Sequence, residues 1–164
     1  MSGKSAANSA ADTSWESDGP RTHRVAVGAY IFREGRVLLV KRMNPPYTFA
    51  PPGGRLNVGE DPETGLRREV REETGLEIEL LGLAHYWYGS MDGAKPELLC
   101  MNFLAESAEE DVRLSDEHSA SVWASRADIE SGTIQTLDEK GYGYRPEDIL
   151  LAFDLYLQRQ GVAR

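Results

Sequence analysis

Residues Gly54–Leu76 read GRLNVGEDPETGLRREVREETGL, a glycine-led loop running into a stretch dense in glutamate. Asp61 followed by Pro62 marks a helix start, because an aspartate side chain accepts from orphan N–H groups and proline loses nothing at the first helical position. Gly75 takes a left-handed backbone conformation without steric cost and marks the far end. The span predicts a helix of about three and a half turns. At about 100° per residue, Glu69, Glu72 and Glu73 share one flank, with Leu66 and Val70 beside it. Arg67 and Arg71 point to the opposite side, where solvation is expected. Arg68 adjoins the carboxylates and sits one helical turn before Glu72, close enough to pair with it. Gly65 falls in the same arc although glycine costs a helix interior about 1 kcal/mol relative to alanine. A missing side chain there predicts close approach of another backbone segment.

A surface helix laced with ion pairs explains this pattern poorly. Glu69 and Glu73 are like charges one turn apart, which destabilises an isolated helix by about 0.2–0.5 kcal/mol, and Glu72 adds a third charge. The arrangement makes sense if something positive sits among the carboxylates. Oxygen ligands without neighbouring histidine or cysteine favour a hard cation, Mg²⁺ or Mn²⁺, over zinc.

The fixed residues Gly54, Glu60, Arg68, Glu69, Val70, Glu72, Glu73, Gly75 and Leu76 form the pattern G-x5-E-x7-R-E-U-x-E-E-x-G-U, where U is aliphatic. This resembles the signature of the Nudix hydrolases at every fixed position. At ordinary residue usage such a match arises by chance roughly once in a billion starting positions. The family commonly has alanine where Gly65 stands, at a position its signature leaves free.

The resemblance implies an α/β/α sandwich with a mixed β-sheet, and hydrolysis of a nucleoside diphosphate linked to another moiety. It also implies that Glu69, Glu72, Glu73 and the backbone carbonyl of Gly54 are ligands to Mg²⁺ (or Mn²⁺). Arg68 would orient the carboxylates by ion pairing, and Glu60 would support the loop or a second metal. Family members often carry their general base outside the signature, on a loop with an acidic residue followed by His and later Trp. Ser115–Trp123, SDEHSASVW, looks like that loop. Glu117 is the candidate base, an ordinary solvated loop glutamate being the alternative, and His118 reads as a polar packing residue beside a strand.

From Val25 through the signature the chain resembles the group labelled ADP-ribose pyrophosphatase-like. It departs from the ADP-ribose enzymes in that the first proline after the signature, Pro96, comes late. A nucleotide sugar such as ADP-ribose therefore ranks first as substrate and a nucleoside triphosphate second. A Nudix-fold sensor that binds a nucleotide without cleaving it is the alternative from another class. Intact Glu69, Glu72 and Glu73 argue against it, since a sensor has no need of a complete metal cluster. Arg42 and Arg55 flank the loop where phosphates would lie, a solvated surface charge being the alternative for each. Candidate walls for a base or sugar are Tyr47, Phe49, Tyr86, Trp87, Tyr88, Tyr142 and Tyr144, and Tyr47 in a Pro-rich loop and Tyr142 and Tyr144 in a Gly-rich loop are the ones least readily read as core. Homodimerisation is common in the family, but no segment of the sequence marks an interface.

The rest of the chain fits one domain. With 164 residues, 40% hydrophobic and 27% charged, residues 22–164 suit a single globular unit, α/β in class. Residues 1–21, rich in Ser, Ala, Asp and Gly with Trp15 as the one large apolar residue, are expected to form a flexible tail without the apolar core of a signal peptide. No apolar run approaches the ~18 residues of a membrane span. The formal charge of −9 argues against a polynucleotide partner, which requires a basic surface, but not against a small polyphosphate met by metal. Cys100, the sole cysteine, is expected to be buried and inert, compatible with a cytoplasmic setting.

Val25–Phe32 and Arg36–Lys41 read as a β-hairpin around the Glu34–Gly35 turn. A short extended segment at Thr48–Ala50 precedes the signature. Strands follow near 77–88 and 96–105, with another around Val122–Ala124. A closing helix over 146–160 carries an apolar stripe of Ile149, Leu150, Phe153, Tyr156 and Leu157. Strands interrupted by one helix and closed by another predict a mixed sheet with helices on its faces.

Overall fold

The computed structural model of the protein describes residues 23–161, so the expected 1–21 tail lies outside the described residues. In chain order the elements are β1 (Arg24–Arg33), β2 (Arg36–Arg42), β3 (Phe49–Ala50), β4 (Gly53–Arg55), α1 (Pro62–Thr74), β5 (Glu79–Gly89), β6 (Leu98–Glu106), β7 (His118–Ala124), α2 (Arg126–Glu130) and α3 (Pro146–Arg159). Their pairing makes a mixed sheet in the order β3-β2-β1-β6-β5, with β4 added to β1 and β7 to β2. The expected hairpin forms but stays paired only next to its turn, at Phe32↔Val37 and Arg33↔Arg36. Beyond that point β1 and β2 diverge. The short strands fill the fork, β3 on β2 at Val40↔Ala50 and β4 on β1 at Val27↔Gly54. Ala29 N–H donates to Pro52 O at 2.9 Å and so fastens the intervening turn to β1.

The other side of β1 pairs in parallel with β6 from Arg24↔Leu98 to Phe32↔Glu106. A strand flanked on both sides and covered on both faces must be apolar throughout. β1 obeys this: Ala26 to Phe32 are all buried. Its side chains divide by the two-residue period of a strand. Val27, Ala29 and Ile31 join Leu66, Val70 and Leu76 in a core under α1, whereas Tyr30 and Phe32 join Ile149, Ala152 and Phe153 under α3. The ring of Phe32 stacks on Tyr156 at 4.1 Å and meets Phe153 edge-on at 5.1 Å. These two layers on one sheet are the α/β/α sandwich that the sequence implied. Among the described residues no helix is long and apolar enough to cross a membrane.

The structure departs locally from the sequence reading. α2 was not expected, although Ser125 and Asp128 form a reciprocal capping box at its start. β7 begins at His118 rather than near Val122, pairing with β2 from Val37↔Ala124 to Arg42↔His118. Arg67 is not simply solvated, since its Nη1 donates to Ile78 O at 2.5 Å, and Arg71 Nε pairs with Glu77 at 2.6 Å. At Gly65 the close neighbours are the side chains of Leu56 and Glu60 rather than backbone.

Leu66 is fully buried between α1 and the sheet. Leu66→Ala should cost about 2–5 kcal/mol of unfolding free energy in urea titrations. A loss below about 1 kcal/mol would mean that α1 is not docked as described.

Candidate active site

α1 is anchored at both ends. Asp61 Oδ1 accepts from Thr64 N–H at 3.0 Å, and Gly75, at φ 72°, donates its N–H back to Arg71 O at 2.9 Å. Between the caps, Leu66 and Val70 seat the helix on the sheet and bring its acidic flank against β4. Gly53 N–H donates to Glu73 Oε2 at 2.9 Å, and Glu73 is only 5% exposed. Gly54 backs onto Glu69: a Cβ there would lie 2.5 Å from Glu69 Oε2, so no other residue fits without moving that carboxylate.

Arg68 spreads one guanidinium over three carboxylates. It holds Glu60 through two bonds, Nε to Oε1 at 2.7 Å and Nη2 to Oε2 at 2.8 Å. Nη1 donates to Glu69 Oε1 at 2.9 Å and to Glu72 Oε2 at 3.2 Å, while Nη2 also reaches Arg55 O at 3.3 Å. Glu60 in turn accepts from Asn57 N–H at 2.9 Å, which closes the loop between β4 and α1.

Charge and burial set the protonation of these groups. The Arg68 guanidinium, helped by Asn57 N–H, holds the Glu60 carboxyl down to about 2. Burial pushes Glu73 up to about 8, and the charges of Glu69 and Glu117 add to this, against the Gly53 N–H and Arg42. Glu69 is raised in the same way by burial, with Glu72 and Glu117 contributing and Arg68 opposing. The loop before β7 carries Glu117, whose backbone carbonyl accepts from Met43 N–H at 3.0 Å. That loop is tied to the end of α1 by Arg113 N–H to Thr74 O at 2.8 Å and Ser115 N–H to Glu73 O at 3.2 Å. Arg113 and Ser115 were not singled out in the sequence, and backbone ties of this kind leave no side-chain signal.

The other expected residues are placed less uniformly. Arg42 lies opposite His118 across β2 and β7, its Nη2 bonded to Pro45 O at 3.3 Å, and its charge is felt at Glu73. His118 is half-buried, and burial lowers its pKa. Arg55 is exposed at the end of β4, near the cluster through its carbonyl. Tyr47 is 62% exposed on the β2–β3 loop. Phe49 is half-buried against the core under α3, with Lys41 Nζ 5.9 Å from its ring centre.

The donor set suits a hard divalent cation: carboxylate oxygens, a backbone carbonyl at Gly54 and two carboxyls whose charge is disfavoured until a cation arrives. Among the described residues no three acidic side chains already enclose such an ion. Glu69 and Glu72 are turned to Arg68, and one oxygen of Glu73 to Gly53 N–H. Each of these three carboxylates has its other oxygen outside these bonds.

Residues 22–143 match the model of the NUDIX domain. The chain belongs to the Nudix hydrolase family. It is similar to an RNA pyrophosphohydrolase of Caulobacter vibrioides, 45% identical over 76 residues, which are 44% of each chain. It is also similar to an ADP-ribose pyrophosphatase of Methanocaldococcus jannaschii, 46% identical over 54 residues, 32% of each. The chain thus spans less than half the length of either relative. Among solved structures, a MutT protein from Methanosarcina mazei superposes with a TM-score of 0.64 at 25% identity, covering 88% of this chain and 99% of that one. The mixed sheet between two helical layers is thus the Nudix fold, and the chain is a Nudix enzyme.

The raised Glu73 carboxyl has a consequence for stability. A folded-state value of about 8 against an ordinary 4.5 means that the folded protein holds a proton which the unfolded chain releases, so stability falls as pH rises from 4.5 to 8. Glu60 acts in the opposite sense, but only between about 2 and 4.5. His118, lowered from 6.5, overlaps the window with opposite sign, so a variant is needed to isolate Glu73. In chelator, the stability of Glu73→Gln relative to wild type should increase from pH 5 to pH 8, read from melting temperatures. A flat difference would refute the buried, proton-holding Glu73.

Proposed function

We propose that the protein is a Mg²⁺-dependent pyrophosphohydrolase that cleaves the phosphoanhydride bond of a nucleoside diphosphate derivative, a nucleotide sugar first among the candidates. The observation that carries this reading is the packing of Glu69 and Glu73 against Gly54 and Gly53, on a helix whose end is tied to the loop that carries Glu117. Repulsion and burial disfavour such a cluster unless positive charge enters it. Glu69, Glu72, Glu73 and the Gly54 carbonyl would hold Mg²⁺ or Mn²⁺. Bound there, the cation supplies charge neutralisation for the pyrophosphate and acidifies a water.

The remaining work falls to the chain. Arg68 keeps Glu69 and Glu72 on one flank, and its pair with Glu60 holds the loop beneath them. Glu117 accepts a proton from the attacking water. Arg42 and Arg55, on either side of the β3–β4 turn, meet the phosphates, while Tyr47 and Phe49 line the approach for the attached group. A leaving phosphate with its charge so met departs more readily.

The M. jannaschii relative is named for ADP-ribose, which supports a nucleotide sugar. The Methanosarcina structure is named MutT, so nucleoside triphosphates form the second reading. The Caulobacter relative is named for RNA, but a net charge of −9 disfavours a polyanionic chain as substrate. The buried free thiol of Cys100 suits a reducing compartment, and we place the enzyme in the cytoplasm.

The decisive assay is phosphate release, after phosphatase coupling, from nucleotide sugars, nucleoside triphosphates and a 5′-triphosphorylated oligoribonucleotide, with Mg²⁺ or with chelator. Activity should require the metal. Glu72→Gln should lower kcat by roughly three or more powers of ten with an unchanged circular dichroism spectrum, because Glu72 is exposed and carries no packing. Turnover by Glu72→Gln equal to wild type would refute the metal assignment. In the same assay Glu117→Gln should reduce kcat by about 10²–10⁴ without weakening substrate binding, as expected for loss of a general base.

A further inference from the structure

Buried polar atoms without a partner are costly and correspondingly rare. Among the described residues four side-chain atoms are in this state: Arg42 Nε, Thr48 Oγ1, Asn102 Nδ2 and His118 Nδ1. They form a trail. Arg42 and His118 face each other across β2 and β7. Arg42 N–H donates to Thr48 O at 3.0 Å, and Thr48 Oγ1 lies 3.2 Å from where a Cβ on Gly143 would sit. The next residue, Tyr144, donates its hydroxyl to Asn102 Oδ1 at 2.9 Å.

Asn102 is fully buried on β6. Its register partner on β1 is Gly28, whose partner on β4 is Gly53, the residue bonded to Glu73. Two strand spacings, about 10 Å, thus separate the backbone of Asn102 from that of Gly53. A ribose and heterocycle can span that distance from a phosphate held at the cluster.

Tyr144 O–H and, at 3.7 Å, the Cys100 thiol both address Oδ1 of Asn102, and the N–H donors of Nδ2 are left without a partner. Gly28 leaves room for this pair: a Cβ there would fall 2.6 Å from Asn102 Oδ1 and 3.0 Å from Tyr144 OH. The loops 90–97 and 138–144 meet nearby, with Gly93 against the Tyr142 ring. Beside them a cavity of about 10 Å³, bordered by Trp87, Met91 and Tyr144, has room for about one water. Access of a heterocycle to the amide requires these loops to part.

We propose that Asn102 is a specificity-determining residue whose side-chain amide, locked as a donor by Tyr144, reads a hydrogen-bond acceptor on the base of the nucleotide. Bases that carry a carbonyl at the position read, hypoxanthine or uracil, are bound in preference to adenine or cytosine, which carry an amino group there. The inference rests on the nucleotide reading above. It refines that reading, because it moves the preferred base of a nucleotide sugar away from adenine.

The test is titration calorimetry of the full chain with Mg²⁺, using inosine against adenosine 5′-monophosphate and uridine against cytidine 5′-monophosphate. Each pair differs in an oxygen against an amino group. Wild type should bind the carbonyl member of at least one pair about tenfold more tightly, the scale of one hydrogen bond. Asn102→Leu should bring the two members of that pair to within about twofold of each other, chiefly by weakening the carbonyl member. Tyr144→Phe, which keeps Asn102 but frees Oδ1 so that the amide can turn, should also reduce the discrimination, and it carries the test if Asn102→Leu does not fold. Equal binding of both members of each pair by wild type, as expected if a buried water satisfies Nδ2, overturns the proposal. So does a preference that survives in Asn102→Leu or, if that variant does not fold, in Tyr144→Phe. Failure to hydrolyse any pyrophosphate while the calorimetric preference stands would refute the catalytic reading and leave this one intact.

Discussion

A single guanidinium makes the acidic flank of α1 tenable. Arg68 meets Glu60, Glu69 and Glu72 at 2.7–3.2 Å, in a setting where Glu60 and Glu69 are 12% and 15% exposed at the side chain. An exposed ion pair contributes about 0–1 kcal/mol. The two-pronged bond to Glu60 is of the stronger, geometrically specific kind. It also joins the loop after β4 to the middle of the helix, so Gly53 and Gly54 are held at the depth where Glu73 and Glu69 meet them. Helix, loop and sheet are thereby kept in one register.

The sheet contributes through a failure to pair. Because β1 and β2 part company just beyond their turn, an opening forms within the sheet itself, and β3 and β4 occupy it. The backbone that approaches the carboxylates is thus part of the sheet rather than a free loop. The same fork sets Arg42 on one side and Gly28 on the other, and Gly28 leads by register to Asn102 on β6. One row of register partners thus runs from Gly53, beside Glu73, through Gly28 to Asn102.

Much of this was legible in the residues. Asp61-Pro62, the spacing of Glu69, Glu72 and Glu73, and Gly75 specified α1 and its acidic flank, because capping and helical periodicity are local properties. The hairpin around Glu34–Gly35 and the stripe of α3 were visible for the same reason. The capping box at Ser125 and Asp128 was equally local, and a five-residue helix is too short for periodicity to reveal it. Other features lie in contacts between distant segments. Whether β1 would pair in parallel with β6, whether Arg67 would find Ile78 O, and whether Tyr144 would orient Asn102 cannot be read from any window of sequence. Glu117 could be named from resemblance, but the backbone bonds that tie its loop to the end of α1 could not.

Among the described residues β5 ends the sheet on one side, hydrogen-bonded to β6 alone, and it exposes Leu83, Tyr86 and Tyr88. A long straight edge of that composition is a template on which another chain can add itself, the first step toward fibrils. Here the ladder loses register between Leu80 and Gly82 and again between Leu83 and His85, and Gly82 adopts a φ of 141° that other residues rarely tolerate. Such bulges bend and twist a strand. The backbone freedom of one glycine, Gly82, thus helps make this exposed edge a poorer template for a second chain.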